Sequence, residues 1–300
     1  MLDRSGESAF AAVLGAHQLR AFISDNPHYC GSWNEPEGAI DHGMFHLIDE
    51  GECWVGISGG EPYIPLGPGD LVLFPHGTEH QLCSVPDTPI TGTRNLFTSV
   101  ICGEFEFATG NRNPILDALP ELIVVREKDS GMQFRLLAQL LAHEARQDHF
   151  GRQLVLDKLA DALFVMALRY YIANSPERRG LIAALADPRL ARVLEAIHAD
   201  PGRAWTVAAL AEIAHQSRTA FAQYFGEVLS VSPYQYLTEW RMAEAQRLLA
   251  DPKSSAATIA EKLGYQTEAA FRRAFKKVHG YGPGQVRRAA RLAQREVVAA

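Results

Sequence analysis

Two sets of side chains in this sequence could do chemistry. The first is polar and largely cationic: Arg218, Thr219 and Gln223, then, further on, Thr267, Glu268, Arg272 and Arg273, with Lys276 and Lys277 just behind. Guanidinium, amide, hydroxyl and carboxylate groups match the donor and acceptor patterns on base edges, and lysine is a point charge suited to phosphate. The second set is His46, His80 and Cys102. Imidazole and thiolate together suit a structural or signal-reading zinc ion, and a thiolate held near a metal or a histidine is easier to oxidise. Each set also has a plainer reading: a charged helix face that is only solvated, and buried, inert residues satisfied by their neighbours.

The first set must be positioned by a stretch that occurs twice. An offset of 50 residues aligns Phe221 with Phe271, Phe225 with Phe275, Val228 with Val278, Pro233 with Pro283 and Arg241 with Arg291. Each copy predicts a short helix, a tight turn and a second helix. Thr206 caps a helix with Val207, Leu210 and Ile213 on one face; Ser217 caps the next, where Phe221, Phe225 and Val228 form a buried stripe. In the second copy the pair runs from about Ser255 to Leu263 and from Thr267 to Val278, with Gly264 in the turn. Ten steps separate Ala211 from Phe221 and eleven separate Ala260 from Phe271, which predicts a turn one residue longer in copy two. This layout is that of a helix-turn-helix or of an ordinary helical hairpin. The named polar residues lie away from the phenylalanine stripes. Ala222 occupies a possible contact position in copy one, so that copy is expected mainly to position the protein.

Charge supports a polyanionic partner for this half. From Asp187 onward the chain carries 16 Lys and Arg against 11 Asp and Glu, whereas the residues before it carry 13 against 24, so the net charge of −6 conceals a basic tail. An acidic first half argues against a protein that merely coats DNA.

The pattern Ile259-Ala260-x-x-x-Gly264-Tyr265, Phe271-x-Arg273-x-Phe275-Lys276-Lys277, Gly280-x-x-Pro283 and Arg287 resembles the second helix-turn-helix of AraC/XylS-type regulators. Leu210-Ala211, Ser217, Phe221, Phe225, Ser232-Pro233, Tyr236-Leu237, Arg241, Ala245 and Leu248-Leu249 are similar to the first one and its connecting helix. The resemblance covers roughly Arg189 to Ala290. It implies two recognition helices about one DNA turn apart, with Arg273 at a position that often contacts a base. It also implies a transcription regulator whose partners are promoter or operator DNA and RNA polymerase.

The first half predicts strands. Phe45–Leu47, Glu52–Ile57, Leu71–Phe74 and Leu96–Phe107 are apolar or alternating runs separated by Gly, Pro and Asp, which predicts a small barrel or sandwich over about 21–127. Gly69 to Ser84 resembles the second cupin motif, with Pro75, His76, Gly77 and an inward His80; Ser84 stands where that motif ends in asparagine. The first cupin motif is poorly matched. Gly38, Ile40 and Met44 hold the places of its two histidines and glutamate, which weighs against a metal-dependent cupin enzyme with an accessory helical domain, the rival reading. His42 and His46 share strand parity with Met44 and can face inward. Cys102-Gly103 lies in the last strong strand, where some cupin-bearing relatives also have Cys-Gly. Phe97, Ile101, Phe105 and Phe107 take the opposite parity, so Cys102 in the site requires a bulge or a second buried face.

Met132–Arg146 and Arg152–Ala173 predict two amphipathic helices packed on the strands. Such helices pair protomers in the family, so a homodimer is expected, although the same stripe could simply cover the barrel. Asn174–Asp187 is the expected linker. The fold class is therefore α+β: a cupin-like sensing and dimerising domain over 1–180, with its barrel and helical hairpin, then an all-α double helix-turn-helix domain over 181–300. Cys30, Cys53, Cys83 and Cys102 form no C-x-x-C pair and are expected as free, mostly buried thiols. Neither a signal peptide nor a membrane span is expected, and the cytoplasm is the expected location.

Overall fold

The computed structural model describes residues 3–57, 62–86, 97–107, 113–175, 178–251 and 254–289. Leu96 of the expected strand, Pro176-Glu177 of the expected linker and Arg291 of the repeat lie outside them. Contacts divide the chain into two compact units: Leu19–Glu106 with Leu119–Pro176, and Met1–Gln18 with Phe107–Ala118 and Glu177–Ala300. The first helix, α1 (Arg4–His17), thus belongs with the helical unit and not with the strands that follow it. Its buried side, Ala9, Phe10, Val13 and Ala16, has its partners there.

The strand unit contains β1 (Leu19–Asp25), β2 (His28–Cys30), β3 (Asn34–Glu37), β4 (Gly43–Glu50), β5 (Cys53–Ile57), β6 (Ile64–Leu66), β7 (Leu71–Phe74), β8 (His80–Cys83), β9 (Phe97–Phe107) and β10 (Ile123–Val125). One sheet has the order β1-β9-β4-β7-β10, with β2 also on β9; the other has the order β3-β8-β5-β6. Among the described residues no strand pairing joins them, so of the expected barrel or sandwich the strands form two open sheets. Met44, Ile48, Val72, Phe74 and Val100 from one sheet meet Cys53, Val55, Leu66 and Leu82 from the other in a shared core. The six-stranded sheet is also buried on its other face. There Phe45, Leu47, Leu71, Leu73, Ile101 and Phe105 lie under α2 (Met132–Ala145) and α3 (Arg152–Asn174), and Phe105 packs on Phe164 with ring centroids 4.3 Å apart. This second face resolves the parity conflict along β9, since odd positions turn to the helices and even ones to the core. The β4–β9 register does shift between Ile48 and Glu50, but this lies away from Cys102, which pairs regularly with His46.

The helical unit adds α4 (Gly180–Ala186), α5 (Pro188–Ala199), α6 (Val207–Ile213), α7 (Arg218–Leu229), α8 (Pro233–Leu249), α9 (Ala256–Lys262) and α10 (Glu268–His279). The duplication extends to the caps. Thr206, Ser217, Ser255 and Thr267 each accept a hydrogen bond from the backbone N–H three residues on, as helix N-caps do. Both turns pass through one left-handed residue, His215 at φ 54° and Gly264 at φ 77°, and both recognition helices end on another, Ser230 at φ 58° and Gly280 at φ 77°. The first helices, their caps and their turn residues match at an offset of 49, and the second helices at 50. The extra residue therefore falls between Gly264 and Thr267, as the step count requires.

Candidate nucleic-acid interface and buried histidine chain

Phe221, Phe225 and Leu229 hold α7 against its unit, and Phe271, Phe275 and His279 hold α10. The opposite sides remain outside. On α10, Arg272 and Arg273 are exposed, and Glu268 accepts from Arg272 Nε at 2.6 Å, one helical turn away. Arg273 and Lys276 have no hydrogen bond or ion pair among the described residues. Lys277 departs from them, because it lines a cavity beside α8 together with Ala270, Ala274 and Val278. Thr267 is the α10 cap, and its hydroxyl is engaged by Ala270 N–H at 3.1 Å. On α7, Arg218, Thr219 and Gln223 are exposed, and Gln223 Nε2 donates to Glu227 at 2.9 Å. Gly226 and Glu227 occupy the positions matching Lys276 and Lys277. Copy one therefore presents hydrogen-bonding groups with little net charge, and copy two presents a cationic face.

Sequence reasoning missed how the two copies are joined. The guanidinium of Arg241, on the connector α8, donates to Pro201 O at 2.7 Å and to Arg203 O at 3.0 Å, and lies over the Tyr265 ring. It ties the loop before copy one to the turn of copy two. At the other end, Asp187 caps α5, takes the Tyr224 hydroxyl at 2.5 Å, and is bridged by Arg189, which also lies over the Tyr224 ring. These residues hold α7 and α10 through contacts within the chain. The repeat placing arginine at both 241 and 291 was the available signal.

In the strand unit His46, His80 and Cys102 do come together. His46 on β4 faces Cys102 across the β4–β9 ladder, and His80 reaches it from the opposite sheet. His80 is fixed by its turn: its ring stacks on Phe74 with centroids 3.5 Å apart, and its Nδ1 lies 2.7 Å from Thr78 O. Gly77 makes that turn at φ 62°, where a Cβ would stand 2.3 Å from Ile40 O. The hydrogen-bond direction follows from the carbonyl, which can only accept. His80 Nδ1 donates to Thr78, so the bare His80 Nε2 accepts from His46 Nε2–H at 2.8 Å, and His46 Nδ1 accepts from the Cys102 thiol at 3.2 Å.

The result is a chain of neutral groups. Burial drives the His46 pKa down to about 3 and lowers that of His80, and burial first, then nearby carboxylates, pushes the Cys102 thiol up to about 12. The Cys102 thiol keeps its proton here, because a neutral His46 offers no cation to stabilise a thiolate. His80 and Cys102 engage opposite nitrogens of one ring, and among the described residues no group of three or more His, Cys, Asp or Glu converges as metal ligands. Met44 is packed in the core, and His42 turns to Asp41 at 3.0 Å and Glu104 at 2.6 Å. Ser84 is buried and accepts from Trp33 N at 3.0 Å. All four cysteines are free, with Cys53 and Cys83 buried, Cys102 partly buried and Cys30 exposed.

Residues 9–173 match the cupin family and residues 210–289 the helix-turn-helix domain family. A relative in Escherichia coli, the "RCS-specific HTH-type transcriptional activator RclR", is 30% identical over 93% of this chain and 96% of its own. The chain belongs to the AraC family of helix-turn-helix transcription regulators with an N-terminal cupin domain. A "Putative AraC-like transcription regulator" of Streptomyces lividans is 32% identical over 92% of this chain and 96% of its own. The crystal structure of ToxT from Vibrio cholerae O395, 10% identical, covers 89% of this chain and 96% of that one at a TM-score of 0.36. Both relatives are named as transcription regulators, in line with the helix-turn-helix reading and not with the rival cupin-enzyme reading. No helix among the described residues is long and apolar enough to cross a membrane.

Proposed function

We propose that this AraC-family protein is a cytoplasmic activator that binds a specific duplex operator as a homodimer and responds to a signal received in its cupin domain. The observation that carries the DNA reading is the outward cationic face of α10, where Arg273 and Lys276 stand without protein partners among the described residues. Arg272 and Arg273 then read base edges, with Glu268 and Thr267 beside them, and Lys276 takes a phosphate. Arg218, Thr219 and Gln223 make the lesser contacts of copy one. Arg273→Ala is expected to cost about 1 to 3 kcal/mol and relax selection at one base pair, whereas Lys276→Gln weakens all sequences alike and flattens the salt dependence. Titration of operator and scrambled duplexes at several salt concentrations separates the two. An Arg273→Ala protein as tight and as selective as wild type would remove this residue from the interface. Activation, the role named for the E. coli relative, requires RNA polymerase as a partner.

Dimerisation is supported by an apolar stripe that the fold leaves outside. Met132, Leu136 and Leu140 recur every fourth residue of α2 at 65%, 59% and 51% exposure, and Leu154 on α3 and Phe150 before it are also exposed. Single exposed leucines are ordinary, but a row on one helix face fits a second copy of that helix. Leu136→Glu with Leu140→Glu is expected to convert the dimer to monomer in analytical ultracentrifugation. A dimer of unchanged affinity would place the contact elsewhere.

The His46–His80–Cys102 chain is our candidate for signal reading, as a redox site. A peroxide-class oxidant would convert the Cys102 thiol to a sulfenic acid with release of water, and the added oxygen would have to be fitted where His46 Nδ1 now accepts the thiol proton at 3.2 Å. Cys102→Ser keeps a donor and should retain operator binding while losing its response to mild oxidant. A response identical to wild type would mean that the signal is read by other residues.

A further inference from the structure

Beside α10, on the side away from Arg272, lies a cavity of about 800 Å³ within the helical unit, a size that suits a drug-sized molecule. Val13 of α1, Tyr234 and Trp240 of α8, Tyr265, and Ala274 and Lys277 of α10 contribute to its walls. Its lining is mainly aromatic and aliphatic, and it carries unsatisfied polar groups. Trp240 is 6% exposed, and its indole N–H has no hydrogen-bond partner among the described residues. His279, 5% exposed, also lines the cavity; its Nε2 donates to Met242 O at 3.2 Å, so its Nδ1 is a bare acceptor, and that atom too is unpartnered. Buried polar atoms of this kind ordinarily find partners. The ammonium of Lys277 has none among the described residues, and the carboxylate of Glu239 is already engaged by Gln235 at 2.8 Å.

We infer that this cavity is a ligand site for a small aromatic monoanion that also carries an N–H or O–H donor. Its ring lies among Tyr234, Trp240 and Tyr265, its acidic group takes the Trp240 N–H and the Lys277 ammonium, and its donor satisfies His279 Nδ1. Because α1, α8 and α10 all contribute walls, occupancy bears on the helix that carries the cationic face.

The test uses the full chain and two fluorescent probes on nearly one frame: 8-anilino-1-naphthalenesulfonate, an aromatic sulfonate with an N–H, and N-phenyl-1-naphthylamine, which lacks the sulfonate. Ala274→Leu, which fills the cavity, is expected to weaken both probes at least about tenfold. Lys277→Gln, a surface change, is expected to weaken the sulfonate about fivefold and leave the neutral probe unchanged. Wild-type affinity for both probes in Ala274→Leu would locate binding elsewhere, for instance on the exposed stripe of α2, and overturn the site. Equal effects of Lys277→Gln on the two probes, or none, would overturn the anion. No operator is involved, so this outcome is independent of the DNA reading.

Discussion

Gly264→Ala should destabilise the second helix-turn-helix by about 2 to 5 kcal/mol and abolish operator binding. Two costs combine. A left-handed backbone, φ 77° here, costs a residue with a Cβ about 1 to 2 kcal/mol, and forcing atoms into a packed site costs about 1 to 3 kcal/mol more. The packing cost has no cheap escape. A Cβ at Gly264 would stand 2.3 Å from Gly202 O and 3.0 Å from Arg241 Nη2, and a Cβ at Gly202 would likewise stand 2.3 Å from Lys262 O. Two backbones cross at these glycines, and Arg241 closes the crossing. The matching residue of copy one is the control: His215 has a left-handed φ of 54° but an exposed side chain, so His215→Gly should shift stability by less than about 1 kcal/mol. Urea midpoints of the two variants test the pair, and equal midpoints would show that the crossing carries no strain.

Acid is the second large lever. Burial is the leading cause of lowered pKa values at five histidines: to about 4 at His17, to about 3 at His46 and His198, and downward too at His80 and His279. Unfolded histidine binds its proton near pH 6.5, whereas these folded rings stay neutral. The stability they contribute is complete above about 6.5 and is lost as pH falls toward 4, by up to about 1.4 kcal/mol per ring for each pH unit. His42 opposes this, because its hydrogen bond to Asp41, and then that to Glu104, raises its pKa, but it is partly exposed and its contribution is small. Thermal melts should therefore fall steeply between pH 6.5 and 5. His198→Gln should make the slope shallower, since burial lowers the His198 pKa to about 3 and its ring stacks on Trp240 with centroids 3.7 Å apart. A melting temperature flat from pH 7 to 5 would show that these rings protonate as they do in water.

Local chemistry made the helical half legible before any coordinates. Caps, turn residues and phenylalanine spacing act over a few residues, so Thr206, Ser217, Ser255 and Thr267 announced their helices, and the step count located the longer turn. Strands such as Leu71–Phe74 were legible for the same reason. Their partners were not. Alternation tells which side chains share a face but not how many faces are buried, so a β9 strand covered on both sides looked like a parity conflict. Cys102 and His46 are neighbours through one ladder, but His80 joins them from another sheet, and only that meeting places the three in a line on the two nitrogens of the His46 ring. The place of α1 was hidden likewise, because an amphipathic helix states that it must be covered and not by what; its apolar side found α5 and α8, far along the chain.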